Sequence, residues 1–178
     1  MYQLVIDFWF SELEAKQWWQ KDAALDAAIK HRFEALHAQA KACELFEWRS
    51  TALGSLAEII VLDQYSRNIF RDKPESFACD PLALALAQTA ITKGFDLELP
   101  ETQRSFLYMP FMHSESKQIH EQALVLFTAL GNDNNLKFEQ QHKAIIDRFG
   151  RYPHRNEILG RNSSQEELSF LQQPNSSF

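Results

Sequence analysis

The sequence predicts an all-α fold: one domain spanning residues 1–178, made of antiparallel helix pairs, with no sheet. Three observations carry this. Apolar residues recur at steps of three and four through most of the chain. Serine, Asp-Pro and glycine signals stand where those stretches begin and end. The 178 residues include only five glycines and six prolines, so long helices are easily accommodated. Hydrophobic residues make up 45% and charged residues 24%, the balance of a globular chain able to bury a substantial core.

Residues 4–10 are apolar, with Phe8, Trp9 and Phe10 in succession, and are compatible with a short helix or a strand. Trp18 and Trp19 are expected to cap the core. Asp22 starts a helix whose stripe is Leu25, Ile29, Phe33, Leu36 and Ala40, with Lys21, Lys30, Arg32 and Glu34 on the solvated face. Ser50 is the expected N-cap of a helix running from 51 to about 70. Its centre, Ile59-Ile60-Val61-Leu62, is apolar on every side, which makes this helix central.

A polar ribbon comes directly after it: Asp63, Gln64, Arg67, Asn68 and Arg71. Asp63 and Arg67 are four apart in the favourable acid-first order, and partial burial of the ribbon against the arginine-rich corner at residues 148–161 is expected. Asp80-Pro81 reads as N-cap and first helical position, and Gly94 as a stop, with the leucine- and alanine-rich segment between them in the core. Pro100 opens a helix containing Arg104 and Tyr108, which should end or kink at Pro110.

Ser114 is the expected cap of a helix reaching Leu130 and Gly131. Ile119, Ala123, Phe127 and Leu130 form its stripe, and Glu115 extends the stripe by one turn. A last long helix from Leu136 carries Phe138, His142, Ile145, Ile146 and Phe149 on one side. His142 in that setting reads as a hydrogen-bonded core histidine rather than a ligand. Ser163 and Ser164 offer overlapping capping boxes for a short final helix. The tail from Gln172 is expected to be loose.

The polar chemistry gathers at the corner after that long helix, FGRYPHRNEILGR. From Arg148 to Arg161 there are four arginines and one glutamate, a local charge of +3 in a chain of net charge −6. Gly150 can end the preceding helix in a left-handed conformation. Pro153 suits the first position of a short helix closed by Gly160. Arg151, His154, Arg155 and Asn156 then project from a tight corner. Guanidinium forks suit carboxylate or phosphate, and the open end of a helix adds N–H donors.

The acidic balance, with pI near 5.5, argues against general nucleic-acid binding. Cys43 and Cys79 form neither a metal nor a disulfide pattern, which suggests a reducing compartment. The N-terminus is apolar but short, contains Asp7 and lacks a basic leader, so a signal peptide is not expected. No apolar run approaches a membrane span. A cytoplasmic protein is therefore expected, and no pattern specifies an oligomer.

Asp7-Phe8-Trp9-Phe10, Leu62-Asp63-Gln64 with Arg67-Asn68, Phe77-Ala78 with Asp80, the run from Tyr108 to Glu115, and FGRYPHRNEILGR together resemble a bacterial family of unknown function. The resemblance covers nearly the whole chain. It implies an all-helical fold with tetratricopeptide-like, right-handed stacking of helix pairs, and it implies no reaction. Ser66 stands where the family often has proline, and Ser116 where it often has an acid.

Three functional classes are compatible with these residues. The first is binding of a small carboxylate or phosphate by Asp63, Arg67, Asn68, Arg71, Arg104, Arg151, Arg155 and Asn156, with His113, Glu115 and His154 as acid–base groups if the protein is an enzyme. The second is an interaction module that holds an acidic peptide in a groove between helix pairs. The third is a metal-dependent hydrolase using His113, Glu115 and His142. Those three residues are far apart in sequence and match no compact metal motif, so neither a metal nor a cofactor is expected.

Overall fold

The protein is described by a computed structural model covering residues 1–174, 176 and 177. Among the described residues every regular element is helical. Of the expected loose tail, Ser176 is buried and its hydroxyl donates to the Leu171 carbonyl at 3.1 Å, while Asn175 and Phe178 lie outside the described residues. The chain forms two compact units. Unit 1 is Met1–Arg71 with Glu75–Pro110, and unit 2 is Asp72–Pro74 with Phe111–Phe178.

In unit 1, the ambiguous N-terminal segment is a helix, α1 (Gln3–Asp7), that widens into a π turn at Phe8–Glu12. The Leu13 N–H reaches five residues back to the Phe8 carbonyl at 3.2 Å. Helix α2 (Ala23–Lys41) starts where expected, because Asp22 accepts from the Ala24 and Leu25 N–H groups. Its buried stripe is Leu25, Ile29, Phe33, His37 and Ala40. His37 takes the inward place expected of Leu36, one residue on and about 100° further round.

The central helix is capped by Thr51, whose hydroxyl accepts from the Gly54 N–H at 3.1 Å. The expected cap, Ser50, instead ends a 3-10 turn and donates to the Glu47 carbonyl. The helix runs as α3 (Ala52–Ile60), a second π turn (Val61–Tyr65) and α4 (Ser66–Ile69). Ile59, Ile60, Val61 and Leu62 are all fully buried. Helices α1 and α5 (Asp80–Thr92) pack on α3, while α2 packs on the π turn and α4.

The inward face of α5 is Ala83, Ala87 and Ala90, with the leucines only half-buried between them. Small side chains there let the backbones of α3 and α5 approach closely. Asp80 is the first helical residue rather than the N-cap, which is Cys79. Trp18 is half-buried, whereas Trp19, expected to cap the core, is 62% exposed and stacks on Phe106. Helix α6 (Glu101–Met112) continues through Pro110 and ends two residues beyond it.

Unit 2 is built on the hairpin of α7 (Lys117–Leu130) and α8 (Asp133–Phe149), which pack side by side. Gly131, at φ +78°, ends α7, and the Asn132 side chain caps α8, which begins at Asp133, three residues before the expected start at Leu136. Ser116, not Ser114, holds the N-cap position of α7, so Glu115 lies outside the helix.

The buried stripe of α7 is His120, Ala123, Phe127 and Leu130, with His120 in the place expected of Ile119. On α8 it is Glu139, His142, Ile145 and Ile146, while Phe138 turns outward. Gly150, at φ +69°, ends α8 in the left-handed conformation the corner requires. The expected short helix at Pro153 is a three-residue 3-10 turn, Pro153–Arg155. Ser164 and Glu167 close a capping box on α9 (Gln165–Leu171).

Candidate functional site around Tyr152

The predicted polar residues divide between the two units. In unit 1, Arg67 grips Asp80 with two bonds of 3.0 Å and donates to the Asp63 carbonyl at 2.7 Å. The buried Asp63 carboxylate lies 3.2 Å from Arg67 and accepts from Gln64 at 2.5 Å. Asp63 therefore shares Arg67 with Asp80, a residue that local spacing marks as a helix start and not as a partner of the ribbon.

Asn68 and Arg71 both donate to Asp26 on α2, at 2.8 and 2.7 Å, and the Arg71 Nε makes a further bond to it. Arg104 donates to the carbonyls of Asp96 and Leu99, both at 2.9 Å. The ribbon thus closes a network inside unit 1. Its partners are acids and carbonyls set by how α2, α4 and α5 pack, which spacing along the chain does not reveal.

In unit 2 the corner residues do come together. Arg151 forks onto Glu167 at 2.6 and 2.8 Å. Arg161 forks onto Glu115 at 2.7 and 3.0 Å. Glu115 also accepts from the Tyr152 backbone N–H at 2.7 Å. Of the donors around the turn at Pro153, the Tyr152 N–H is thus engaged by a carboxylate of the same chain, and the Arg155 and Asn156 N–H groups turn back to the Tyr152 and Pro153 carbonyls at 3.1 and 3.0 Å. Burial pushes the Glu115 carboxyl up, but Arg161, the Tyr152 N–H and Arg155 outweigh it and hold the group below the usual carboxylate range. Asn156 is buried, accepting from Arg161 at 2.9 Å and donating to Ser163 at 3.0 Å.

Tyr152 is the hub. Its hydroxyl donates to the Met112 carbonyl at 2.5 Å and lies 3.2 Å from His120 Nε2. The Arg155 guanidinium lies 4.6 Å from the Tyr152 ring centre and donates to the His113 carbonyl at 3.1 Å. The rings of His142 and His154 stand 5.7 and 5.6 Å from that of Tyr152.

His142 Nδ1 donates to the Phe138 carbonyl at 2.8 Å, the hydrogen-bonded core role expected of it. Burial lowers its pKa to about 3, helped by His113, His120 and His154 nearby. His113 and His154 are half-buried, so the cluster grades from half-buried to fully buried histidines.

Sequence reasoning missed the buried end of this cluster. His120 Nδ1 sits 2.8 Å from Glu139 Oε1, both fully buried, and His120 Nε2 sits 2.8 Å from the Ser114 carbonyl. A carbonyl only accepts, so Nε2 carries hydrogen. Burial raises the pKa of Glu139 above the usual range. The available signal was Glu139 three residues before His142, on the same face of α8. In unit 1, sequence reasoning likewise missed the buried His37–Ser66 bond of 2.7 Å and the Glu58–Arg49 pair. Among the described residues no group of three or more His, Cys, Asp or Glu side chains is placed to hold a metal ion.

Residues 5–175 match a family described as bacterial proteins of unknown function, DUF924. The chain belongs to this family. A solved structure of a protein of unknown function from Agrobacterium tumefaciens is similar to this family member at 38% identity, covering 96% of each chain with a TM-score of 0.92. Comparison with curated proteins found no match. No helix among the described residues is long and apolar enough to cross a membrane.

Proposed function

We propose that this family member binds a small carboxylate or phosphate at the Tyr152 hub of unit 2, with Arg155, His154 and His113 as ligand-facing groups. The observation that carries this reading is the gathering of His120, His142, His154 and Arg155 around one tyrosine, with His113 close enough to His142 to act on its charge and with His113 and His154 half-buried. Arg151 and Arg161, engaged with Glu167 and Glu115, act as struts that shape the corner.

If the protein is an enzyme, His113 and His154 are its accessible acid–base groups, and the Tyr152–His120–Glu139 chain behind them holds a proton in reserve. Protonated histidines strengthen the site for anions, so binding is expected to be tighter near pH ~6 than near pH ~8. The reading assigns no cofactor, and it takes the protein to work in the cytoplasm.

The test is a thermal-shift screen of phosphate, citrate and adenosine monophosphate at both pH values. A ligand that binds only the folded state raises the melting temperature saturably. His154→Asn and Arg155→Lys should each remove that rise while the protein stays folded. If no anion moves the wild-type midpoint at either pH, the reading is wrong.

A second reading is a tetratricopeptide-like interaction module for an acidic peptide. It draws on the large apolar side chains left exposed on unit 1, Trp19, Phe46 and Leu97. Saturable binding of an acidic peptide, with no response to the small anions, would favour it.

A further inference from the structure

The core of unit 1 holds two polar groups that the fold leaves unsatisfied. Trp9 Nε1 and the Tyr65 hydroxyl are buried, with residue exposures of 2% and 0%, and neither meets a hydrogen-bond partner among the described residues. Folded proteins pair nearly all such groups. This unit does so for comparable aromatic residues: Trp18 Nε1 donates to the Trp9 carbonyl at 2.9 Å, and the Tyr108 hydroxyl donates to Asp96 at 2.6 Å. The two exceptions are neighbours, with ring centres 5.5 Å apart.

Both exceptions also stand on π turns, Phe8–Glu12 and Val61–Tyr65. Such turns insert a residue at a cost in helix geometry and recur at functional sites. Two independent departures from ordinary packing therefore coincide at one place.

We propose that Trp9 and Tyr65 are the polar anchors of a second binding site, in the aromatic core of unit 1, for a flat, uncharged molecule bearing a carbonyl oxygen.

The chemistry of the surroundings sets that class. An indole N–H only donates and a phenol O–H donates readily, so the ligand must offer an acceptor. Burial pushes the Tyr65 hydroxyl well above its usual pKa, which keeps it protonated and donating. Phe8, Phe33, Trp18 and Phe106 surround the pair with ring faces and edges, which suits a planar body. The ions nearby cancel: Arg32, stacked over Phe8 and Phe33, forks onto Glu12 at 2.6 and 2.8 Å. An uncharged ligand therefore fits better than an anion.

The way in passes Trp19 and Trp18. Trp19 is largely exposed and lies parallel to Phe106, whose ring meets Trp9 edge-on. Trp18 and Trp19 sit on a 3-10 turn, Ala15–Trp18, and its exit. The 2.9 Å bond from Trp18 to the Trp9 carbonyl is a tie that a ligand can break by displacing the indole.

The test uses the full chain with benzamide as probe, and toluene and benzoate as controls, read by thermal shift and tryptophan fluorescence. Benzamide is expected to raise the melting temperature saturably and to change the emission, with weaker effects from toluene and benzoate. Tyr65→Phe and Trp9→Phe should each weaken benzamide by about tenfold.

Tyr65→Phe should also melt at or above the wild type, because it removes a hydroxyl for which the fold has no partner. A Tyr65→Phe variant that melts clearly below wild type would mean the hydroxyl is structurally satisfied, and would overturn the proposal. So would equal responses to toluene and benzamide, or no response to benzamide. These probes are uncharged or apolar apart from the benzoate control, and the variants lie in unit 1. The outcome is therefore independent of the anion screen on unit 2.

Discussion

Glu115 and Arg161 form a two-point ion pair of 2.7 and 3.0 Å across 46 residues of sequence. The same carboxylate caps the Tyr152 N–H at 2.7 Å. One half-buried acid thus fixes both ends of the corner, the turn after Gly150 and the segment after Gly160.

Glu115→Gln is therefore expected to destabilise unit 2 by about 1.5–3 kcal/mol, the range for hydrogen bonds to charged groups, reduced toward its lower end by partial exposure. Urea denaturation near neutral pH measures it. An unchanged midpoint would show that the corner holds its shape without this pair.

The Arg67–Asp80 fork predicts coupling that spacing along α4 does not suggest. A double-mutant cycle with Arg67→Met and Asp80→Asn should give an interaction energy of about 1–2 kcal/mol. Pairing Arg67→Met with Asp63→Asn should give less, because the Arg67 guanidinium forks onto Asp80 with two bonds of 3.0 Å while its Nη1 lies 3.2 Å from the Asp63 carboxylate. The reverse order would mean that the neighbour along the helix is the principal partner after all.

Two groups with large shifts contribute to the acid limb of stability. His142 is neutral in the fold, with a pKa of about 3 against an ordinary 6.5, because it is buried. The unfolded chain takes up a proton below pH 6.5 that the folded chain refuses until pH nears 3. Stability conferred by keeping His142 neutral is complete above about pH 6.5 and falls with acid, by up to about 1.4 kcal/mol per pH unit. His142→Leu should flatten the slope of unfolding free energy between about pH 6.5 and 4.

Glu167 acts lower. Its fork with Arg151 depresses its pKa from 4.5 to about 2. Its contribution is present above pH 4.5 and is lost as pH falls toward 2. Arg151→Met should make that lower segment of the acid limb shallower and leave the upper one intact. A variant whose acid limb is unchanged below pH 4.5 would contradict the assignment.

Gly54→Ala is expected to be severely destabilising. A Cβ at that position would stand 2.2 Å from the Trp48 carbonyl oxygen and 2.8 Å from the Thr51 hydroxyl that caps α3. Backbone must shift to relieve the first contact, at a cost of about 1–3 kcal/mol or more. A melting temperature equal to that of the wild type would show that the 3-10 turn Phe46–Ser50 yields freely.

The sequence by itself determined the features that depend on near neighbours along the chain. Asp22 as a cap, Gly131 and Gly150 as left-handed stops, and the Ser164–Glu167 capping box all lie within four residues of the groups they serve. The four-residue apolar block after Glu58 announced a central helix, because a segment apolar on every side has no solvated face. The same local logic located the arginine-rich corner and marked His142 as a core histidine.

Only the tertiary structure decided which acid each basic group meets. Arg67 takes Asp80, Arg71 takes Asp26, Arg161 takes Glu115 and His120 takes Glu139, over separations of 13 to 46 residues. Carboxylates are interchangeable in a sequence, and packing alone selects among them. Packing also chose His37 over Leu36 and His120 over Ile119 for the interior. Adjacent residues on a helix differ by about 100° in direction, so a modest rotation set by neighbouring helices exchanges one for the other. The π turns act the same way: each inserts a residue, shifts the phase of the helix beyond it, and aims the Trp9 and Tyr65 rings into the core by an irregularity that no local pattern encodes.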